Sequence, residues 1–221
     1  MSKISAFIFL VISLCLSIGC FAQVDLSNGL IAWYPFNGNA NDASGNGHNG
    51  IAKSAKMTKD RFGKDNSAYY CDGTNKAITV LGLSDYKASG ITISIWIKTT
   101  ANSAEIDLVK GTIGTFYLNL FKPGTFLADF DGSIKHVSKV SVSDSVVTNG
   151  DWVNLTATND GTKTRLYING KLQKTFHEKL LTGGSDFIIA NKNYIGCIDD
   201  VRIYNRALST AEVLAIYNLT H

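Results

Sequence analysis

The sequence predicts an all-β protein in which two antiparallel sheets pack face to face, with one short helix near the C-terminus. Short runs of alternating apolar and polar residues recur from Leu30 onward, and clusters of Gly, Asn and Asp separate them. A period of two is the pattern of a strand that buries one face. Many short strands with frequent turn signals, and no repeat of solenoid or propeller length, favour a two-sheet sandwich.

The cleanest strand is Ile91–Ile97, where four isoleucines share one face and Thr92, Ser94 and Trp96 share the other. Asn169-Gly170 supplies the two positive-φ positions of a type I′ turn, so Arg165–Ile168 and Lys171–Phe176 form a hairpin. The remaining predicted strands are Ile31–Phe36, Ala68–Asp72, Lys76–Val80, Phe116–Phe121, Phe126–Phe130, Trp152–Thr158, Phe187–Ala190 and Ile198–Tyr204.

The helix is predicted after Ser209. Ser209-Thr-Ala-Glu212 is a capping box, in which the serine and glutamate side chains each bond a backbone N–H at the start of the helix. Val213, Ile216 and Tyr217 follow at helical spacing and give one apolar stripe. We expect this helix to pack on a sheet and close the domain.

Composition excludes several classes of protein. The chain has 221 residues, 45% of them hydrophobic, with 21 Lys+Arg against 18 Asp+Glu and a net charge of +3. Such a chain is neither disordered nor collagen-like. A small charge spread along the sequence argues against a nucleic-acid partner, which would require a basic stripe. One domain of this length buries a proper core, and we predict one over residues 23–221.

The first 22 residues are predicted to be a secretory signal peptide. Lys3 precedes the uncharged run Ile4–Ala22, which ends in small residues. Two alternatives stay open. The run is nearly long enough to be an uncleaved membrane anchor, and Ser17–Cys20 resembles a bacterial lipobox, which would make Cys20 a lipidated terminus. The mature chain has no transmembrane candidate, so we expect a secreted, extracellular or periplasmic protein, or a lipid-anchored surface form.

Two cysteines, Cys71 and Cys197, remain after the signal peptide. Disulfides persist in the compartments that receive exported proteins, and a bridge closing so long a loop stabilises by about 4–5 kcal/mol in the chain-entropy model. We therefore expect a disulfide. The alternative is two buried free thiols, because the sequence does not supply the Cα geometry that a bridge requires.

Five segments together resemble the LamG-like jelly-roll family, which is laminin-G-like and belongs to the concanavalin A-like lectin/glucanase superfold. Their order spans nearly the whole mature chain, and the last segment is the most specific. In the second segment Cys71 stands where the family usually has an aromatic residue. The segments are Leu30–Gly50, Ala68–Gly73, Ile91–Trp96, Trp152–Thr158 with the Tyr167–Lys171 hairpin, and Ile195–Ser209. The resemblance implies a two-sheet antiparallel jelly-roll sandwich but little about activity, because this superfold hosts lectins, adhesion modules and glycosidases.

A calcium site is predicted in the Gly-rich loop after the first strand. Asp42 supplies a hard anionic oxygen there, and Ca²⁺ takes six to eight oxygen ligands in flexible geometry. The resemblance places this loop near the last strand and implies that Ca²⁺ is common in the family. We therefore expect structural Ca²⁺ on Asp42, Asn46 and Asp200, with backbone oxygens near Gly45 and His48.

A purely structural explanation of these carboxylates also stays open. Asp199 and Asp200 are adjacent on a strand and should point to opposite faces, so that one of them lies in the interior or against a loop. In this explanation Asp42 makes an Asx turn and Asp200 forms an ion pair with Arg202 or Arg206.

One run resembles a glycosidase strand. Glu105-Ile106-Asp107 matches the start of the Glu-Ile-Asp-x-x-Glu strand of laminarinase-type enzymes, but Lys110 stands where the second glutamate is required. Retaining hydrolysis needs two carboxyl groups about 5 Å apart. We therefore expect no catalysis and a solvated edge strand, with a degenerate or unrecognised glycoside hydrolase as the alternative.

Aromatic residues are the candidates for ligand contact. Trp33, Trp96 and Trp152 match family positions that are usually packed, so we expect core roles for them, although Trp96 lies opposite the isoleucine face of its strand. Loop residues whose pattern the core does not explain are better candidates. They are Tyr86, Phe121, Phe130, Asp131 and Tyr194. We predict a secreted or cell-surface, non-catalytic module that binds an extracellular glycan, or alternatively a surface protein as an adhesion or scaffold module.

Overall fold

The computed structural model describes residues 24–74, 77–82, 89–101, 105–111, 116–121, 125–130, 147–177, 179–180, 186–191 and 193–220. These residues form fourteen strands in two antiparallel sheets and one helix, which confirms the predicted two-sheet sandwich with a helix near the C-terminus. The sequence pattern does not predict the short strands Gly50–Ala52 and Ala55–Thr58. The elements are β1 Leu30–Tyr34, β2 Gly50–Ala52, β3 Ala55–Thr58, β4 Ala68–Asp72, β5 Ile78–Val80, β6 Ile91–Lys98, β7 Glu105–Gly111, β8 Tyr117–Phe121, β9 Thr125–Asp129, β10 Trp152–Asn159, β11 Lys163–Ile168, β12 Lys171–His177, β13 Phe187–Ile189, β14 Ile195–Tyr204 and α1 Thr210–Tyr217. No helix among the described residues has the length and apolar character needed to cross a membrane.

The larger sheet has eight strands in the order β12-β11-β10-β6-β14-β4-β3, with β1 also paired to β14. The smaller sheet has six strands in the order β2-β5-β13-β7-β8-β9. The isoleucines of β6 and the apolar residues of β7 and β9 fill the space between the sheets. Because β14 pairs with three neighbours, its sequence decides what lies at the centre of the larger sheet.

The outer face of the larger sheet is partly covered by α1. A second apolar cluster joins Tyr167, Tyr204, Val213 and Ile216 beneath the helix. Thr92 and Ser94, predicted on the face opposite the isoleucines, are therefore fully buried. Some polar side chains on this face bond one another: Ser94 Oγ accepts hydrogen bonds from Asn154 and Thr156 across the strands.

The predicted hairpin and helix cap are confirmed. Asn169 and Gly170 both have positive φ, at 50° and 72°, as a type I′ turn requires. Ser209 accepts from the Glu212 N–H, and Glu212 accepts from the Ser209 N–H at 2.7 Å. Val213 and Ile216 are buried as predicted, whereas Tyr217 is only half-buried.

The expected disulfide between Cys71 and Cys197 is wrong for this structure, where both thiols are free. The residues lie on paired strands, but Cys71 is opposite Gly196, while Cys197 is opposite Tyr70. Opposite residues share a face and adjacent residues do not. Cys71 therefore points into the core and Cys197 to the outer face, with Cβ directions that a bridge does not tolerate.

Replacing Ser209 with alanine should lower the free energy of unfolding by about 1 kcal/mol, because the Glu212 N–H loses its cap. Urea denaturation measures the change. Ser89→Ala, at an exposed position, is the matched control and should change stability by less than about 0.5 kcal/mol. Equal effects of the two substitutions would contradict the role of the cap.

Candidate functional site: an aromatic pocket over a buried ion cluster

Four charged side chains form a buried ion cluster at the centre of the larger sheet: Arg61, Asp199, Asp200 and Arg202. Arg61 Nη1 lies 2.7 Å from Asp199 Oδ2, and Arg61 Nη2 lies 3.5 Å from Asp200 Oδ2. Arg202 Nε donates to Asp200 Oδ1 at 3.1 Å. The four side chains are only 1–5% exposed, and their formal charges cancel. Mutual pairing is what makes two buried carboxylates tolerable here.

Both aspartates point to the same arginine, so the expectation that they face opposite sides of the sheet is wrong. Asp200 has a positive φ of 46°, and the pairing of β14 with β6 slips between Asp199 and Arg202. Such a bulge places extra residues on one strand and interrupts the alternation of side chains. The alternation rule therefore fails at the position that builds the ion cluster.

Burial raises the pKa of Asp199 to about 7, while the nearby charge of Arg61 acts in the opposite direction. The Asp200 carboxylate, also nearby, raises this pKa further. Arg61 therefore has two acidic partners, and the Asp199 carboxyl takes up a proton near neutral pH.

Trp33 connects the cluster to the loop after β1. Its Nε1 donates to Asp200 Oδ1 at 2.6 Å, and its backbone N–H donates to Asp42 Oδ1 at 2.9 Å. The guanidinium of Arg202 lies 4.3 Å from the centre of the Trp33 ring. Trp33 is therefore a half-buried bridge between two carboxylates and does not have the core role predicted for it.

Arg61 also forms the floor of a surface pocket. Its guanidinium lies 4.6 Å from the ring centres of both Phe62 and Trp96, and its Nη2 donates to the Leu219 carbonyl at 3.4 Å. This arginine therefore joins the segment after β3 to the chain beyond α1. The aromatic pocket, as we name it, has a volume of about 380 Å³ and is lined by Arg61, Phe62, Trp96, Trp152, Tyr217, Asn218, Leu219 and Thr220.

The aromatic rings of the pocket differ in accessibility. Trp96 is 7% exposed and stacks on Tyr217, with ring centres 5.5 Å apart and an angle of 18° between the planes. Trp152 and Tyr217 are half-buried, and Phe62 is 51% exposed. Trp152 is only half-buried on the outer face of the larger sheet, so the core role expected for it is wrong. The packed role expected for Trp96 is confirmed by its burial, but Trp96 packs on the same outer face, against Arg61 and Tyr217. The pattern of β6 carries that signal, since Trp96 alternates with the core isoleucines.

The loop predicted to bind calcium is held by hydrogen bonds to Asp42. Asp42 Oδ1 accepts from the backbone N–H groups of Trp33 and Ser44, and Oδ2 accepts from the Ser44 hydroxyl and the His48 N–H. Burial raises the pKa of Asp42, but these bonds outweigh it and leave the pKa below its ordinary value. Asp42 therefore makes the Asx turn of the structural explanation.

The predicted calcium ligands do not fit one shared site. The Asp42 carboxylate is surrounded by N–H and O–H donors, whose positive ends would repel a cation. The His48 carbonyl is already an acceptor for the Tyr34 hydroxyl at 2.7 Å, and the Asp200 carboxylate belongs to the ion cluster. Asn46 uses its amide to donate to the Leu30 and Ile31 carbonyls, and Gly45 is an exposed turn residue with φ 90°. Within the described ranges, no three His, Cys, Asp or Glu side chains are grouped to hold a metal. Calcium binding by this chain stays a prediction.

The predicted ligand-facing aromatics do not form this site. Phe130 and Tyr194 are fully buried, and the Tyr194 hydroxyl donates to the Cys197 carbonyl at 2.7 Å, so neither ring is available to a ligand. Tyr86, Asp131 and the side chain of Phe121 lie outside the described residues.

The glycosidase-like run lies on the other sheet, in β7. This strand is paired on both sides, to β13 and β8, so the predicted edge position is wrong. Glu105 accepts a hydrogen bond from Asn119 at 3.2 Å, and Asp107 lies 3.4 Å from Lys110. The residue at the position of the missing glutamate is therefore an ion-pair partner of Asp107.

Sequence and structure comparisons define the class of the protein. A model of laminin G-type domains, described as the concanavalin A-like lectin/glucanases superfamily, matches residues 72–214, more than half of the chain. The chain belongs to this superfamily, which confirms the resemblance. No curated protein matches the sequence.

Solved structures confirm the fold at low sequence identity. Domain 4 of AbnA, a GH43 extracellular arabinanase from Geobacillus stearothermophilus solved with arabinotriose, is 20% identical with a TM-score of 0.67, over 86% of this chain and 98% of that one. The binding domain of Paraclostridial Mosquitocidal Protein 1 is 22% identical with a TM-score of 0.66, over 87% and 52%. The third structure is of botulinum neurotoxin type C, a toxin whose cell entry depends on two ganglioside molecules. It is 16% identical with a TM-score of 0.63, over 87% of this chain and 51% of that one. The chain spans about half of each toxin structure.

The raised pKa of Asp199 predicts a pH dependence of stability. The folded protein holds this proton more tightly than the unfolded chain, whose aspartate has a pKa near 3.8, so the contribution is complete below that pH. It should be lost as pH rises through about 7. Asp199→Asn should flatten the fall in unfolding free energy between these pH values, as measured by urea denaturation. An unchanged slope would contradict the assignment.

Asp42→Asn should lower the free energy of unfolding by about 2–3 kcal/mol, because an amide presents a donor to N–H groups that now face a carboxylate. Thermal or urea unfolding measures the loss, and exposed Asp65→Asn is the control.

Melting curves with added Ca²⁺ and with EDTA test calcium on the same samples, since a cation that binds only the folded state raises the melting temperature. A calcium-dependent rise in the melting temperature that disappears in Asp42→Asn would support the predicted metal site.

Proposed function

We propose that this chain is a non-catalytic, extracellular carbohydrate-binding module whose ligand occupies the aromatic pocket. The observation that carries the proposal is the meeting of Phe62, Trp96, Trp152 and Tyr217 around one cavity of about 380 Å³. Binding sites for small ligands are concave, largely apolar and supplied with a few placed polar groups. Export rests on the sequence of residues 1–22 and belongs to the proposal.

The pocket offers both kinds of contact that a sugar ring needs. Phe62 and Trp152 present ring surface to solvent, and the apolar C–H face of a pyranose packs against such a surface. Asn218 and Thr220 are exposed at the rim and offer polar side chains to hydroxyl groups. Arg61 holds both walls together while its charge is neutralised below.

The pocket chemistry favours binding over hydrolysis. No carboxylate is among the described residues that line the pocket, whereas glycoside hydrolysis uses a pair of them around the scissile bond. Two of the similar proteins are associated with sugars: the arabinanase domain was solved with arabinotriose, and the cell entry of the neurotoxin depends on gangliosides. These likenesses support a glycan ligand without naming it.

Phe62→Ala should weaken glycan binding at least tenfold, because it removes exposed ring surface from the pocket wall. A glycan array followed by titration calorimetry on the best ligand measures the effect. Leu81→Ala is the matched control, since Leu81 is as exposed as Phe62, at 51%, and follows β5 of the smaller sheet, outside the lining of the pocket. Equal affinity of wild type and Phe62→Ala for every glycan bound would reject the pocket as the binding site, whereas binding to no glycan would favour the adhesion alternative.

A further inference from the structure

A row of side chains continues from the aromatic pocket across the outer face of the larger sheet. Trp152 on β10 is opposite Lys98 on β6, and Lys98 is opposite Cys197 on β14. Cys197 is in turn opposite Tyr70 on β4, and Tyr70 is opposite Lys56 on β3. Directly opposite residues of antiparallel strands point to the same face. We name these five side chains the cationic row.

The row is open to solvent. Tyr70 is 40% exposed, Lys56 and Lys98 are exposed, and Trp152 and Cys197 are half-buried. Adjacent strands are about 4.8 Å apart, so the three spacings from Trp152 to Tyr70 make about 14 Å. This length accommodates a chain of several sugar rings rather than one ring.

The charge of the row is positive, because its five side chains include two lysines and no carboxylate. Neither Lys56 nor Lys98 has a carboxylate oxygen within 4 Å in the ion pairs of the described residues. The nearby Asp72 on β4 receives hydrogen bonds from the backbone and hydroxyl of Thr74, at 3.1 and 2.7 Å. Hydrogen bonds from Thr74 and also the charge of Lys56 lower the pKa of Asp72, so this carboxylate offsets part of the charge of Lys56. Two lysines against one aspartate leave this part of the face with a net positive charge.

We propose that the ligand of this protein is an acidic oligosaccharide, bearing carboxylate or sulfate groups, that extends from the aromatic pocket along the cationic row. This inference rests on the proposed function and names its ligand class. The rings of Trp152 and Tyr70 take sugar faces, and Lys98 and Lys56 neutralise the acidic groups. A single row flanked by Asp72 suits a linear ligand better than the broad surface of a protein partner.

Calorimetry with three oligosaccharide sets of equal length tests the inference: neutral arabino-oligosaccharides, oligogalacturonates and heparin-derived sulfated oligosaccharides. Wild type should bind at least one acidic set tenfold or more tightly than the neutral set, and the preference should decrease as salt rises. The two acidic sets distinguish carboxylate from sulfate. Lys56→Gln/Lys98→Gln should abolish the preference, whereas Lys171→Gln/Lys179→Gln, the same charge change at exposed lysines outside the row, should keep it.

The outcomes separate the two proposals. If Phe62→Ala weakens binding but wild type shows no acidic preference, or the double lysine variant keeps it, the cationic row is rejected and the proposed function stands. If no acidic oligosaccharide binds, the inference is rejected, and the glycan array with Phe62→Ala decides the proposed function separately. Tyr70→Ala should lower the affinity for acidic oligosaccharides several-fold. Binding of polyglutamate as tightly as any oligosaccharide, unchanged by Tyr70→Ala, would indicate an acidic protein partner and overturn the inference. Near-ultraviolet circular dichroism of each variant confirms that it folds.

Discussion

The pairing of Arg61 with two adjacent aspartates organises both the larger sheet and the pocket above it. Asp199 and Asp200 belong to β14, the strand that pairs with β1, β4 and β6. Arg61 comes from the segment after β3 and reaches the Leu219 carbonyl beyond α1. One side chain therefore fixes three parts of the chain that are far apart in sequence. Without Arg61, the Phe62 wall and the C-terminal wall of the pocket would each lose the side chain that they contact at the base of the pocket.

Such a cluster is better understood as a device for specificity than as a source of stability. The desolvation of buried charges offsets much of their attraction, whereas removal of one partner costs about 3–5 kcal/mol because the other remains buried and unpaired. The ion cluster therefore penalises every arrangement in which β14 takes the regular register, since that register would separate the two carboxylates. A bulge with a positive φ at Asp200 is maintained on this account.

The sequence predicts regular structure well, because periodicity and turn chemistry are local. Alternation locates β6 and β10, Asn169-Gly170 locates the hairpin, and the capping box locates α1. The same rule fails at Asp199 and Asp200, where the bulge depends on an arginine more than a hundred residues earlier. It also leaves the cysteines undecided, because their opposite directions follow from the register of β14 on β4 and not from their spacing.

The aromatic pocket was beyond local inference for a related reason. Its walls come from β6, β10, the segment after β3 and the end of α1, and no two of these are neighbours in sequence. Composition shows that tryptophans are present but not which layer they occupy. Trp96 offers the one usable signal, a large aromatic in phase with Thr92 and Ser94. Where α1 covers that face the polar residues are buried, and where α1 ends at Tyr217 the aromatic rings reach the surface. The length of one two-turn helix thus decides where the covered outer face ends and the aromatic pocket begins.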